Sequence, residues 1–189
     1  MRHFQLVASG IDVFPLLHSV VRHPKLWNQN KFRTTFKDTP HAQVDDIWLR
    51  FSREVPDTNT VSSDINDLAW YPAFYELPQV KPLIRDLMFR LDAYMLCRCV
   101  ITRLKPGGVI LPHADDKGDY VHQGDIQRYH VVLQGLPGSL YKTGAGDSAE
   151  TVNMKTGEVW WFNALQEHSV VNNSVDDRIH MLVDLRLMS

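Results

Sequence analysis

Met95-Leu96-Cys97-Arg98-Cys99-Val100-Ile101-Thr102-Arg103-Leu104, followed by Lys105-Pro106-Gly107-Gly108, reads as a β-strand running into a turn. Cys97 to Leu104 is rich in residues that suit a pleated, half-buried surface, and the Pro-Gly-Gly run stops it. The same texture continues downstream. Tyr129 to Leu133 is a strand closed by Gly135, Pro137 and Gly138, and Glu158 to Phe162 follows the Lys155-Thr156-Gly157 turn. Ser169 to Val171 ends at Asn172-Asn173, and Ile179 to Leu187 alternates apolar residues with others. Short strands punctuated by turns predict a sandwich or jelly roll.

Upstream, residues 1 to about 95 mix helical and extended signals. Ile11, Leu17, Val20 and Val21 fit the inner face of a short helix after Gly10. A better helix begins at Pro82, with Leu83, Ile84, Leu87, Met88 and Leu91 at a spacing near 3.6, and Pro suits its first turn. The expectation is a mainly β fold with N-terminal helices. One domain spans 1–189, with an α/β layer (1–94) bracing one sheet of a jelly-roll core (95–189).

The chain has 189 residues, enough for one domain with a real core, and a formal net charge of -2 with acids and bases scattered. No basic block would track a phosphate backbone, so nucleic acid is not the expected partner. Cys97 and Cys99 would share one strand face and are expected as reduced, buried thiols, which suits a cytoplasmic protein. The apolar run Ile11 to Val21 is interrupted by Asp12, Pro15 and His18 and reads as neither a targeting segment nor a membrane span.

The chemistry centres on Leu111-Pro112-His113-Ala114-Asp115. A His and an Asp two apart in extended backbone point the same way. His168, in Glu167-His168-Ser169-Val170, supplies a second imidazole. Two histidines and one carboxylate on one face of a metal leave other positions open, the arrangement of non-haem iron(II) oxygenases. A 2-oxoglutarate co-substrate needs a cation for its far carboxylate, and Arg178, ten positions beyond His168, is the candidate. Arg128 and His130, two apart on a strand, offer further donors on one face.

The set His113-x-Asp115, Arg128-x-His130, Gly157-Glu158-Val159-Trp160-Trp161-Phe162, His168 and Arg178-x-His180 resembles the aspartyl/asparaginyl β-hydroxylase family of 2-oxoglutarate oxygenases, over about Thr102 to Leu187. The resemblance implies a double-stranded β-helix core, cupin-like in outline. It implies that His113 and His168 bind iron(II), that Arg178 pairs with the far carboxylate, and that Arg128, His130 and Thr102 help to hold the co-substrate. Dioxygen and 2-oxoglutarate would be consumed, succinate released and an unactivated C–H hydroxylated, with ascorbate in support. Hydrophobic neighbours such as Trp160 and Phe162 would dry the pocket. The animal enzymes that this segment resembles have glycine where Asp115 stands, whereas the bacterial proline hydroxylases keep the carboxylate. A complete three-ligand site is therefore expected, on an amino acid, peptidyl residue or related small polar substrate.

Other segments leave alternatives open. His180 faces the site in support or faces solvent. Asp116, Lys117, Asp119 and Asp125 read as a solvated loop able to fold over substrate. In Val44 to Phe51, Asp46, Trp48 and Arg50 would share a face if the segment is a strand, lining a substrate pocket or forming an edge strand with an internal ion pair. Trp70 to Tyr75 reads as core or pocket wall. The competing function is a cupin-like metal-binding protein without 2-oxoglutarate chemistry, which would have no use for Arg128 and Arg178 as a pair of buried cations.

Overall fold

A computed structural model of the chain describes residues 3–64, 66–115, 126–144 and 146–188. The chain order is β1 (Phe4–Ala8), α1 (Phe14–Arg22), α2 (Phe32–Thr35), β2 (Val44–Ser52), β3 (Leu68–Trp70), α3 (Pro72–Glu76), α4 (Val80–Arg90), β4 (Ala93–Leu104), β5 (Val109–His113), β6 (Ile126–Gln134), β7 (Ser139–Thr143), β8 (Glu150–Val152), β9 (Val159–Phe162), β10 (His168–Asn172) and β11 (Arg178–Leu187). The expected loop of Asp116, Lys117, Asp119 and Asp125 lies outside the described residues.

Two antiparallel sheets face each other. The major one has seven strands in the order β1-β9-β6-β11-β4-β2-β3, and the minor one has four in the order β5-β10-β7-β8. This is the double-stranded β-helix, or jelly roll. Crossings between non-sequential strands bring distant segments side by side, so β11 pairs with both β4 and β6. From Cys99 to Thr102 β4 alternates: Cys99 and Ile101 are buried beneath the helices, while Val100 and Thr102 face the minor sheet side.

The helical layer covers the outer face of the major sheet. α1 buries Leu16, Leu17 and Val20, and α4 buries Val80, Ile84 and Leu87 against strand residues such as Ile47, Leu49, Ile101 and Met181. α4 starts two residues earlier than the proline signal suggested. Val21, expected on the inner face of α1, is 64% exposed, and Ile11 lies before the helix, which begins only at Phe14. The N-terminal half is also more than a brace, because β1, β2 and β3 extend the major sheet itself.

Cys97 and Cys99 are free and buried. They pack in different clusters, Cys99 under the helices and Cys97 with Ile126, because the β4–β11 register shifts between Leu96 and Cys99. A glycine sets the β6–β7 connection: a Cβ at Gly135 would stand 2.1 Å from the Met154 carbonyl oxygen. Asn172 closes the far end of the barrel, donating from Nδ2 to the carbonyls of Leu104 (2.8 Å) and Asp176 (2.9 Å).

Candidate active site

β5 and β10 are neighbours, and their register sets His113 directly opposite His168. Asp115 follows β5 by two residues, and its backbone N–H donates to the Ala164 carbonyl at 3.1 Å, which fixes the turn. One ligand atom from each of His113, Asp115 and His168 lies within 4.8 Å of the other two.

Hydrogen bonding assigns the ring nitrogens. His113 Nδ1 lies 2.8 Å from the Leu111 carbonyl, and His168 Nδ1 lies 2.9 Å from the Gln166 carbonyl. A carbonyl only accepts, so each Nδ1 donates and Nε2 is the nitrogen turned towards a metal. Among the described residues, the buried His113 Nε2 has no hydrogen-bond partner. Burial, opposed by Asp115, pushes the His168 pKa down to about 4, so its ring is neutral at pH 7. The donor set of two imidazoles and one carboxylate fits a divalent iron ion.

The carboxylate is oriented from behind. Arg128 Nη1 donates to Asp115 Oδ2, while Asp115 Oδ1 stands 3.8 Å from His113 Nε2. Arg128 is itself held on Asp184, by Nε at 2.8 Å and Nη2 at 3.0 Å. The sequence expectation places Arg128 with the co-substrate, and Asp184 carries no signal there. The guanidinium lines the site and bonds to these two carboxylates.

Two cavities meet at the triad of His113, Asp115 and His168. The inner is a narrow cleft of about 40 Å³ between the sheets, lined by Thr102, His130, Tyr141, Phe162, His168 and Arg178. Arg178 is 3% exposed and has no ion-pair partner among the described residues. Its Nη2 donates to His180 Nδ1 at 3.0 Å, and its guanidinium lies 5.7 Å from the centre of the Tyr141 ring. Burial pushes its pKa down to about 10, still protonated at pH 7. His180 is buried, not solvent-facing, and its Nδ1 lies 3.2 Å from His130 Nδ1. Phe162 sets its ring edge against His168 and His130, whereas Trp160 is turned into the neighbouring core with its indole N–H on Glu158.

The outer cavity, about 400 Å³, lies on the other side of the triad, with Phe32, Phe36, Phe51, Val100 and Arg98 in its wall. Arg33 and His41 line both cavities. His41 presents its ring edge to His113 at 4.9 Å, and burial first, then Arg33, hold its pKa well below the usual imidazole range. Neither Arg33 nor His41 stood out in the sequence, since each sits in a short irregular connection without a pattern around it.

The 44–51 segment is a strand, but its three singled-out residues part company. The β2–β4 register shifts between Trp48 and Arg50, leaving Leu49 as an extra residue on β2. Such a bulge reverses the facing of everything beyond it. Phe51 therefore joins Trp48 in one cluster, and Arg50 turns away to stack over Trp70 at 4.6 Å. Neither Trp48 nor Arg50 lines a cavity wall at the site. Asp46 is buried and bonded to Arg33 at 2.9 Å, so it reaches the site through that arginine. In the Trp70 to Tyr75 stretch, Tyr71 is buried, whereas Trp70 is 40% and Tyr75 64% exposed.

A sequence profile described as aspartyl/asparaginyl β-hydroxylase matches residues 26–187. The chain belongs to this family. As a member of the aspartyl/asparaginyl β-hydroxylase family it is an enzyme of the iron(II)- and 2-oxoglutarate-dependent oxygenase type. No curated protein sequence is significantly similar to it. Solved structures share the fold at low identity. A 2OG-Fe(II) oxygenase family oxidoreductase from Burkholderia pseudomallei has 14% identity and a TM-score of 0.55, over 76% of this chain and 66% of that one, just under two thirds of its length. A Trichoplax adhaerens prolyl hydroxylase in complex with a hypoxia inducible factor peptide has 10% identity and a TM-score of 0.59, over 97% and 83%. HygX from Streptomyces hygroscopicus, with nickel and 2-oxoglutarate bound, has 12% identity and a TM-score of 0.57, over 98% and 83%. Among the described residues, no helix is long and apolar enough to cross a membrane.

Proposed function

We infer that the protein hydroxylates an unactivated C–H bond of an amino acid, a peptidyl residue or a related small molecule held in the outer cavity. His113, Asp115 and His168 are the iron ligands in this reading. The observation that carries it is the pair of imidazoles set opposite each other in register, both with Nδ1 tied to a carbonyl and Nε2 left for a metal.

Bound iron(II), with 2-oxoglutarate and dioxygen, supplies the oxidising power, releasing succinate and carbon dioxide and leaving one oxygen atom on the substrate carbon. The chain's own residues bind, orient and keep water out. Arg178 offers the inner cleft a fixed positive charge. A buried guanidinium without a counter-ion costs several kcal/mol, on the order of the desolvation of one ion, and a dicarboxylate reaching in from the metal offsets that cost. Thr102, His130 and Tyr141 line the cleft beside it. Phe162 and Val170 close it with apolar surface. Asp115 stays aimed because Arg128 holds its second oxygen. The cupin-like alternative without 2-oxoglutarate leaves Arg178 with no task.

The test is succinate release with iron(II), ascorbate and candidate substrates, in wild type and in His168→Ala. Metal-dependent turnover that the substitution abolishes is expected; equal turnover in the variant overturns the assignment. Thermal stabilisation by manganese(II) together with N-oxalylglycine gives a second readout that does not need a substrate.

A further inference from the structure

The inner cleft and the triad leave the outer cavity for the molecule that is oxidised, and its wall has two chemically distinct sides. One is apolar and aromatic. Phe32, which opens α2, and Phe36, which follows it, stand with ring centres 5.7 Å apart, and Phe51, Val61 and Val100 complete that side. The other side carries arginines, and they are not equivalent. Arg128 is committed to Asp115 and Asp184. Arg98 lies over the Phe51 ring at 4.7 Å and donates to Ser52 Oγ at 3.0 Å.

Arg33 is different. Its side chain is 16% exposed, and Nη1 alone is engaged, on Asp46 Oδ2 at 2.9 Å. Among the described residues, Nε and Nη2 have no hydrogen-bond partner, and they are not sealed off. Those two atoms form one edge of the guanidinium, the edge that matches the two oxygens of a carboxylate. Asp46 is 1% exposed and fixed in β2, so it sets the direction of that edge. Arg33 also lines both cavities beside His41, whose ring touches the metal ligand His113. The free edge therefore stands within a short molecule's length of the triad.

Resting on the oxygenase reading above, we propose that the outer cavity takes a small, predominantly apolar free carboxylic acid. Its carboxylate is held by Nε and Nη2 of Arg33, and its apolar body lies on Phe32, Phe36 and Phe51. The cavity volume of about 400 Å³ suits a ligand of amino-acid or aryl-alkanoic-acid size. An amide of the same shape meets donors with donors at one end and gives up a charge-assisted pair, so the site discriminates by charge rather than by volume.

The experiment measures binding directly, by calorimetry, to protein loaded with manganese(II) and N-oxalylglycine. The probes are leucine, phenylalanine and 3-phenylpropanoate, each beside its primary amide. In the wild type the acids bind about tenfold or more tightly than the amides, the effect of one charge-assisted pair. In Arg33→Gln the acid-to-amide ratio collapses towards unity, and Arg33→Lys restores part of it. The proposal is overturned if none of the acids binds, or if acid and amide bind alike in the wild type. It is overturned if Arg33→Gln weakens N-oxalylglycine as much as the acids, because Arg33 would then serve the co-substrate. Tighter binding of an Asp- or Asn-containing peptide than of any acid overturns it as well. Protein that takes up neither manganese(II) nor N-oxalylglycine fails at the earlier step, so the oxygenase reading falls and the proposal with it.

Discussion

Arg128 on β6 and Asp184 on β11 stand directly opposite each other in the strand register, and two bonds of 2.8 and 3.0 Å join them. From that anchored position Arg128 reaches the far oxygen of Asp115. The carboxylate beside the metal is thus oriented by a residue that is oriented in turn, both on rigid strands.

Asp184→Asn keeps the shape and removes the charge that aligns Arg128. Partners that orient a metal ligand typically cost about 10–100-fold in affinity when mutated. The expected outcome is a loss of that size in manganese(II) or iron(II) affinity, measured by competition with a chelating dye. Unchanged affinity would show that Asp115 needs no support.

Arg178→Met should act oppositely on stability and on turnover. Replacing a buried, unpaired charge with an apolar side chain of similar volume stabilises by about 1–4 kcal/mol in favourable cases. Chemical denaturation should register a gain, while the KM for 2-oxoglutarate rises by about 100-fold or more with loss of a charged pair. A destabilised variant with an unaltered KM would count against the role given to Arg178.

Acid should unfold the metal-free protein early. Burial first, then neighbouring cations, lowers the pKa of His41, His130 and His180, and burial takes His168 to about 4. A histidine with a depressed folded pKa binds its proton more readily when unfolded. Its stabilising contribution is complete above the unfolded pKa of about 6.5 and is lost as pH falls towards the folded value. Scanning calorimetry from pH 7.5 down to 5 should show Tm falling, with more than one proton taken up on unfolding. A flat Tm across that window would contradict neutral buried rings.

Trp48 and Arg50 separate by mechanism. Trp48 is 1% exposed and packs on Phe51 and Tyr71, with ring centres at 4.3 and 5.3 Å. Trp48→Ala should cost about 3–5 kcal/mol in denaturant unfolding. Arg50→Ala removes a cation–π contact with Trp70 worth about 0.5–1 kcal/mol and leaves the KM for any substrate unchanged. A shifted KM in Arg50→Ala would return that residue to the pocket.

The jelly roll was legible because its later strands are short, β-rich and cut by Gly and Pro turns, and because His113 and His168 fall where two of those strands end and begin. β5 was less legible, since His113 closes a strand whose penultimate residue is Pro112. The bulge at Leu49 had no local signal. It exists because β2 must match β4 and still pass Phe51 to the cavity, which is a tertiary demand. Asp184 sits inside an apolar alternation and reads as a lapse in it until Arg128 is placed opposite. Arg33 and His41 are made functional by packing alone: α2 has only four residues, and nothing in its composition marks a pocket.

The nesting of the two cavities has a kinetic consequence. The narrow cleft ending at Arg178 and the wider chamber share Arg33, His41, His113, Asp115, Arg128 and Leu182, so they adjoin at the triad. A molecule seated in the chamber covers the residues at which the two meet. The expected order therefore has the co-substrate arriving first and its spent form leaving last. Steady-state turnover should follow a compulsory order, with excess oxidisable acid trapping the enzyme and slowing it in competition with 2-oxoglutarate.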